Sequence, residues 1–476
     1  MIARVEIHPG RYHDSVRLMQ ASRALQNVDG VADALVAMAT ELNLGLLADM
    51  GFDPDTAAEA GPNDLIVALR ADGEDAIAAA HRALDDALTH KVTPSGGLDA
   101  PDPKTAGSAA VAGDANVVLL SVPGEHAFVE AMEALESGRH VMIFSDNVPI
   151  EQEIALKRYG ADHGLLVMGP DCGTTIINGV GLGFANAVQP GSVSMVGASG
   201  TGIQQMCALL DDAGIGVRHA LGTGSHDLSE AVGAAATLQA LDALEEDPAT
   251  DLIVVISKPP ADPVADKVRQ AADACTKPVV VTFMGETTLE EGAGEVLRAL
   301  GRPPAEYGSW PASNDEHRPG FVRGLFSGGT LSSEAQFVAA PALGEIGSHD
   351  GDEGHAFIDY GDDEYTQGRA HPMIDQTVRI ERLAAAAEDQ SVGVILMDVV
   401  LGYGSNANPA PELAPLIEKA VESGAAVVVS LCGTRGDPQG RDAQAEILNR
   451  AGASVYLSNA AAAREAARLA TTRSPA

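Results

Sequence analysis

Apolar runs alternate with helical segments from residue 116 almost to the end of the chain, and this rhythm limits the fold more than any other feature. Runs such as Asn116–Val122 and Val392–Val400 are apolar along nearly their whole length, which is typical of parallel strands buried on both faces. The repeated order of strand and helix predicts an α/β fold of several doubly wound parallel sheets. In such sheets ligands bind beyond the carboxyl ends of the strands.

The predicted strands of this region fall into three blocks, which are 116–122, 140–145 and 165–169; 192–197, 217–222, 252–257 and 278–284; and 321–327, 356–360, 392–400, 425–431 and 454–457. Before them, residues 1–91 alternate short strands (33–39 and 64–70) with helices such as Ser15–Gln26, and they predict a small N-terminal α/β domain. Two stretches rich in Pro, Gly and Ala, 92–115 and 302–320, predict linkers.

The net charge limits the classes of partner. The 476-residue chain has a formal charge of −37, spread along its length, which argues against nucleic acid and anionic membranes, because both require basic patches. The charge favours a halophilic surface, on which high salt screens the repulsion, and an ordinary acidic protein is the alternative.

Other features favour a cytoplasmic protein without a metal centre. No apolar run approaches the ~20 residues that cross a bilayer, and the N-terminus has no apolar segment of a secretory signal. The four cysteines form no C-x-x-C pair, which suits a reducing compartment, and the 13 histidines show no spacing typical of metal ligands.

A Gly/Ser/Thr turn between a predicted strand and a helix, within Ser192–Gln204, is the strongest local signal. Free backbone N–H groups at a helix N-terminus attract anions, so the turn predicts a phosphate or carboxylate site formed by Ser199, Gly200, Thr201 and Gly202. The glycine spacing does not match G-x-G-x-x-G, and no lysine follows as in a Walker loop. Simple packing of strand against helix is the alternative.

Other predicted strands also end in polar turns. A second Gly/Ser turn precedes a helix that starts near Pro409, and it predicts a second anion site with Gly402, Gly404 and Ser405. Candidate substrate-binding residues follow the strands of the first block: Ser145, Asp146, Asn147, Pro149, Asp171 and Cys172. For Cys172, packing is favoured over a nucleophilic role, because no histidine stands in an activating position. Lys258 follows a middle strand, and Arg369 and His371 lie on a polar loop.

Three of these motifs, in this order, resemble the α subunit of succinyl-CoA synthetase: Ser145–Pro149, Gly169–Thr174 and Gly197–Gln204. Residues 321–476 resemble the C-terminal ligase domain of the β subunit, fused into the same chain. Within this superfamily, the segments Ser257–Pro260, Ile358–Asp363 and Gly368–Asp375 resemble the FdrA family of acyl-CoA-synthetase-like proteins. The correspondence covers essentially the whole chain.

The resemblance implies a domain order and a chemistry. Residues 116–190 would form a CoA-binding-like Rossmann region, and 191–301 and 321–476 two flavodoxin-like ligase domains. The helices after Ser199 and after Gly402 would correspond to the pair that faces a phosphohistidine in the synthetases. CoA and an acyl phosphate are the implied ligands. Since an ATP-grasp domain is absent, ATP or ADP would act only through a partner, and companion subunits or a homo-oligomer are implied.

Three departures from the synthetase pattern affect the function. The position of the phosphorylated histidine reads Gly285–Gly292 without a histidine, Lys258 stands where a carboxylate orients that histidine, and the N-terminal glycine-rich CoA loop is missing. A fixed cation between two helix N-termini favours a small dianion over a phosphohistidine. FdrA relatives are associated with purine and allantoin breakdown, which implies carbamoyl phosphate and oxamate as alternative substrates.

Three functions therefore stay open. The first is an acid–thiol ligase, an acyl-CoA synthetase that handles an acyl phosphate and a thioester. The second is a carbamoyltransferase subunit of nitrogen catabolism, in which Lys258, Arg369 and His371 hold carbamoyl phosphate or a carboxylate acceptor. The third is a non-catalytic scaffold subunit, in which the polar turns serve only packing.

Overall fold

The structure is a computed structural model that describes residues 1–11, 13, 15–57, 60–89, 103–312, 317–366 and 369–471. The chain divides into two compact units. The first consists of Met1–Asp102 and Asp363–Asp375, and the second of Pro103–Asp362 and Gln376–Ala476. Residues 92–102 of the predicted first linker and Gly368 lie outside the described residues.

The first unit contains an antiparallel sheet in the order β1–β3–β2, with α1 and α3 packed against each other. Its elements are β1 (Ile2–His8), α1 (Ser15–Gln26), β2 (Val31–Met38), α2 (Glu41–Asp49), a 3₁₀ turn (Pro54–Ala57), β3 (Leu65–Ala71) and α3 (Glu74–Thr89). Leucines of the central strand and of both helices, Leu25, Leu69 and Leu84 among them, form one apolar cluster. The sequence prediction of a small α/β domain is confirmed.

The second unit begins with a parallel sheet in the order β4–β5–β6. The elements are α4 (Ala106–Ala112), β4 (Val117–Leu120), α5 (Gly124–Glu136), β5 (His140–Ile143), α6 (Ile150–His163) and β6 (Val167–Met168). Helix α4 lies inside the stretch that the sequence predicts as a linker. A capping box starts this helix: the Thr105 side chain accepts a hydrogen bond from Ser108 N, and the Ser108 side chain accepts one from Thr105 N. This explains why so small a segment is helical.

The next sheet has the order β12–β11–β9–β10–β7–β8, and β9 to β12 are parallel. Its elements are β7 (Thr174–Ile177), β8 (Val180–Gly183), β9 (Val193–Ala198), α7 (Gly200–Asp212), β10 (Val217–Gly222), α8 (Ala235–Glu246), β11 (Leu252–Ser257), α9 (Asp262–Ala274), β12 (Val279–Phe283) and α10 (Leu289–Ala299). The antiparallel hairpin β7–β8 was not predicted, because its short Thr- and Gly-rich strands lack a continuous apolar run.

The last sheet has the order β13–β19–β18–β17–β14–β16–β15 and is parallel except for β13 at its edge. Its region contains β13 (Ser309–Trp310), β14 (Phe321–Phe326), α11 (Gly329–Leu343), β15 (Ile346–Gly347), β16 (His355–Asp359), α12 (Asp363–Thr366), α13 (Thr377–Glu388), β17 (Val392–Val400), α14 (Pro409–Glu422), β18 (Ala426–Cys432), α15 (Arg441–Arg450), β19 (Ser454–Tyr456) and α16 (Asn459–Ala470). Helix α12 belongs to the first unit. The predicted class, mostly parallel α/β sheets, is confirmed.

Glu334 on α11 is a charge-bearing group inside this packing, with 1% of its surface exposed. It accepts hydrogen bonds from Leu289 N at 2.6 Å and from Asn459 Nδ2 at 2.7 Å, and so it joins α10, α11 and α16. Burial raises its pKa to about 7, against the opposing effect of these two donors.

No helix of the described residues is long and apolar enough to cross a membrane.

We expect Glu334→Gln to flatten the pH dependence of stability. Because the folded pKa is raised, the folded state keeps a proton that the unfolded state releases, so the free energy of unfolding falls as pH rises from 4.5 through 7. Between pH 5 and pH 8 the wild type should lose up to about 3 kcal/mol relative to the variant.

Urea unfolding at both pH values measures this difference. Glu388→Gln, at an exposed glutamate paired with Lys419, serves as control and should leave the pH dependence nearly unchanged. An equal slope in the wild type and Glu334→Gln would contradict the assignment.

Candidate functional site

Two helix N-termini, from two different sheets of the second unit, meet at the carboxyl ends of β9 and β14. Ser199, the N-cap of α7, lies with its Oγ 2.6 Å from Thr330 Oγ1 in the first turn of α11. A Cβ on Gly328 would lie 2.7 Å from Thr201 Cγ2, so only glycine allows this approach. Because both helices begin here, the positive ends of two helix dipoles face one region.

The backbone N–H groups at these two N-termini divide into satisfied and available ones. Ser199 Oγ accepts from Gly202 N at 3.0 Å, whereas the amides of Gly200 and Thr201 donate to no acceptor within the described residues. The buried Thr174 Oγ1 also has no hydrogen-bond partner there, and a Cβ on Gly200 would lie 3.3 Å from it. A buried, unpaired hydroxyl beside free amides is what an anion site requires.

Lys258 and Asp359 approach the first turn of α11 from β11 and β16. A Cβ on Gly329 would lie 2.3 Å from Asp359 Oδ2 and 2.9 Å from Lys258 Nζ, so both groups crowd this glycine. The Lys258 ammonium has no hydrogen bond or ion pair among the described residues, although it acts electrostatically on Asp359 and Asp171. A cation without a direct partner is therefore available beside the two helix N-termini. We call the space bounded by Ser199, Lys258, Gly329 and Asp359 the Lys258 cleft.

The carboxyl groups around the Lys258 cleft hold protons more tightly than usual. Burial raises the pKa of Asp359 to about 6, with Lys258 opposing the rise and Asp398 and Asp362 adding to it. Asp171 is reached by solvent but is surrounded by protein on its other sides, and this burial raises its pKa against the Ser225 hydrogen bond and the Lys258 charge. Raised carboxyl pKa values beside a lysine are typical of functional sites.

Asp398, at a fully buried position of β17, holds the start of α11 in place. Its carboxylate accepts from Ser327 N at 2.9 Å, from Ser327 Oγ at 2.9 Å and from Gly328 N at 2.9 Å. Arg379 lies 3.2 Å from the same carboxylate, and both side chains are at most 1% exposed. The backbone N–H groups of Ser327 and Gly328, in the turn before α11, are thus satisfied by Asp398.

Three of the predicted substrate-binding residues lie at the ends of β5 and β6 with structural partners. Ser145 Oγ accepts from Val122 N at 3.0 Å, Pro149 is the N-cap residue of α6, and Cys172 is 2% exposed. Burial raises the pKa of the Cys172 thiol to about 11, which keeps it protonated at neutral pH and agrees with the packing role. Asp146 and Asn147 are exposed. Asp146 acts electrostatically on the Asp171 carboxyl, on which Lys258 also acts.

In the turn of the second predicted anion site, other residues of the protein already contact Gly402. Gly402 N donates to Gln439 Oε1 at 3.1 Å, and a Cβ on Gly402 would meet Ala185 O at 2.5 Å. Helix α14 begins only at Pro409, so Gly402, Gly404 and Ser405 precede its N-terminus. The helix that contacts Ser199 is α11. An anion-binding role of the 402–405 turn stays a prediction.

Arg369 and His371 belong to the first unit, whereas Lys258 belongs to the second. His371 Nδ1 accepts from Met373 N at 3.2 Å and so stabilises a local turn. Their proposed catalytic role stays a prediction. In the described residues, no group of three His, Cys, Asp or Glu side chains could hold a metal ion.

Sequence reasoning missed Asp359, Asp398 and the Ser327–Thr330 turn. The turn shows the same signal as Ser199–Gly202, namely small polar residues between an apolar strand and a helix, and could have been found in this way. No local sequence pattern distinguishes Asp398. Its partners Arg379 and Ser327 are about 20 and about 70 residues away along the chain.

Comparison with known proteins gives a relative over nearly the whole chain. The "Uncharacterized protein YahF" of Escherichia coli strain K12 is 37% identical over 496 aligned positions, which cover 95% of each chain. The chain belongs to the YahF- and FdrA-like family. Family models described as "AllF, heavy metal-associated domain", "CoA binding domain" and "CoA-ligase" match residues 1–103, 188–285 and 325–469. The sequence-based domain boundaries, which put the CoA-binding-like region at 116–190, stay a prediction.

More distant relatives of this FdrA-like chain are CoA ligases. The α subunit of succinate–CoA ligase (ADP-forming) of Methanothermobacter thermautotrophicus is 24% identical, over 49% of this chain and 70% of its own. A structure of ATP citrate lyase from Methanothrix soehngenii, in complex with citrate and coenzyme A, is 22% identical with a TM-score of 0.33. It matches 38% of this chain, which spans about a third (31%) of the lyase chain.

We expect Gly329→Ala in the FdrA-like chain to weaken anion binding without unfolding the protein. The added Cβ would displace Asp359 and Lys258, while alanine itself favours helix by about 1 kcal/mol over glycine. Sulfate affinity, measured by calorimetry, should fall at least about tenfold. Gly294→Ala, in α10 with open space around the Cβ position, is the matched control. Equal sulfate affinity in both variants would place the anion elsewhere.

Sulfate affinity should also decrease as pH rises from 5 to 7.5. Because the pKa of Asp359 is raised to about 6, its carboxyl is neutral at the lower pH and negative at the higher, where it repels the anion and competes for Lys258. Sulfate keeps its charge over this range. Asp359→Asn should bind tightly at both pH values, and Asp389→Asn should behave like the wild type. An unchanged slope in Asp359→Asn would assign the pH dependence to another group.

Proposed function

We propose that this chain is the catalytic subunit of an acyl-CoA-synthetase-like enzyme that holds an acyl phosphate in the Lys258 cleft. The single observation that carries the proposal is that Lys258, at Gly329, and the N-terminus of α7, at Gly328, meet the same turn, while the Lys258 ammonium and the amides of Gly200 and Thr201 have no partner within the described residues. One fixed cation and two helix dipoles suit the dianionic phosphoryl end of such a substrate.

In the proposed reaction an acceptor attacks the acyl carbon, and the bond between that carbon and the phosphate oxygen breaks. The electron pair leaves on the phosphate, whose added charge Lys258 and the helix amides would stabilise in place. A covalent phosphohistidine is not part of the proposal, because Gly285–Gly292 contains no histidine. A nucleotide would enter through a companion subunit.

CoA is the acceptor that the family models favour, and its thiol would supply the nucleophile. The exposed carboxyl group of Asp146 and the largely buried one of Asp171 would repel the diphosphate of CoA when both are ionised. The residues beside Lys258 therefore do not fit the nucleotide end of CoA, and we assign that end no binding residues.

A carbamoyltransferase is the second candidate, and one observation favours it. Lys258 replaces the carboxylate that orients a phosphohistidine, while Asp359 and Asp171 can accept hydrogen bonds from an amide NH₂. Carbamoyl phosphate carries both a dianion and such an NH₂ group. Nitrogen catabolism, with oxamate as acceptor, would be the setting of this reaction.

Lys258→Met is the test of the anion site. Thermal stabilisation by acetyl phosphate, carbamoyl phosphate, CoA, oxamate and ADP is measured in high-salt buffer, which also suits the acidic surface. A ligand at 100 times its Kd should stabilise the wild type by about 2.7 kcal/mol, and Lys258→Met should lose this effect for the phosphates. Lys267→Met removes an exposed cation of α9 and should behave like the wild type.

The ligand that stabilises the wild type separates the candidates. Stabilisation by CoA together with acetyl phosphate supports the synthetase, whereas carbamoyl phosphate or oxamate without CoA supports carbamoyl transfer. If none of these ligands raises the thermal stability, in the presence of co-purifying subunits, the result would favour the scaffold function and refute the proposal.

A further inference from the structure

The loop after β10 presents a histidine against a buried carboxylate. His226 Nδ1 lies 3.4 Å from Glu153 Oε2, and the histidine side chain is 59% exposed whereas that of Glu153 is fully buried. This oxygen of Glu153 has no well-aligned hydrogen bond within the described residues. Catalytic hydrogen bonds are commonly this long before substrate binds, so the pair has the geometry of a carboxylate that orients a histidine base.

A buried lysine, Lys157, holds both Glu153 and the loop that carries His226. Lys157 Nζ donates to Glu153 Oε1 at 2.6 Å, to Asp227 Oδ1 at 2.8 Å and to Thr223 O at 2.9 Å. Asp227 in turn accepts from Thr237 N at 2.8 Å at the start of α8. The loop that carries His226 is thus fixed at its two ends, which an ordinary surface histidine does not require.

The same loop packs against the turn that carries Asp171, a carboxyl group on which Lys258 also acts. Ser225 is hydrogen-bonded to Asp171, and the Asp171 carboxyl responds to the charges of both Lys258 and His226. A Cβ on Gly224 would meet Pro170 O at 2.0 Å, so the two turns are in close contact. Asp171 therefore links the His226 loop to Lys258 electrostatically, and the placement of His226 near the proposed acyl phosphate rests on this link.

We propose that His226 is the proton acceptor for the nucleophile of the acyl transfer, with Glu153 as its positioning residue; this inference rests on the proposed function. The Nδ1–H group faces Glu153, and Nε2 takes the proton from the thiol of CoA or from the amide NH₂ group of oxamate. As that bond to hydrogen breaks, the acceptor atom bonds to the acyl carbon, and the carbon–oxygen bond to phosphate breaks. The phosphate leaves with the electron pair, and Glu153 stabilises the imidazolium.

His226→Ala in the full chain, purified with its companion subunits, tests this role. Turnover of acetyl phosphate with CoA, or of carbamoyl phosphate with oxamate, should fall at least about 100-fold. Sulfate affinity should remain at the wild-type level, and added imidazole should restore part of the turnover. His349→Ala, at an exposed histidine beside Asp352, is the matched control and should keep full activity.

The outcomes separate this role from the proposed function. Unchanged turnover in His226→Ala, with sulfate binding intact, would overturn the role of His226 and leave the proposed function standing. A loss of turnover that imidazole does not restore, together with a loss of sulfate affinity, would show a structural role and overturn it as well. A wild type that neither binds sulfate nor turns over either donor would refute the proposed function itself.

Discussion

The buried carboxylate of Asp398 is the contact on which the geometry of the Lys258 cleft depends. It binds the backbone of Ser327 and Gly328 from β17 and pairs with Arg379, also without access to solvent. Removing one member of such a pair leaves an uncompensated buried charge, which costs about 3–5 kcal/mol. The position of α11, and therefore of Gly329 against Lys258, is set by a fully buried group.

The electrostatics of the cleft follow from this placement. The helix N-termini and Lys258 contribute positive potential, and Asp359 and Asp171 lie close enough to reduce it when they are ionised. Their raised pKa values are the consequence of burial, which the lysine offsets only in part. A site of this kind gains affinity for an anion when one carboxyl is protonated, or when the ligand itself offers hydrogen to the carboxylates. Such a site discriminates by charge and by hydrogen bonding together.

Much of the fold could be predicted because its signals are local. The runs 252–257 and 392–400 coincide with β11 and β17, since a strand buried on both faces is apolar along nearly its whole length. The turn at Ser199 was identified because small polar residues mark the start of a helix. The hairpin β7–β8 and helix α4 were missed, because neither has an apolar period that stands out from its surroundings.

The sequence by itself determined the order of strands and helices, the small polar turn before α7 that predicts an anion site, and the presence of a lysine at position 258. These properties depend on residues that are neighbours in the chain. Only the tertiary structure decided that α11 supplies the second helix N-terminus, that Asp359 faces Lys258, and that Glu153 lies behind His226. Each of these contacts joins segments that are 70 or more residues apart, and chain position carries no information about which of the many polar turns at the sheet edges will meet.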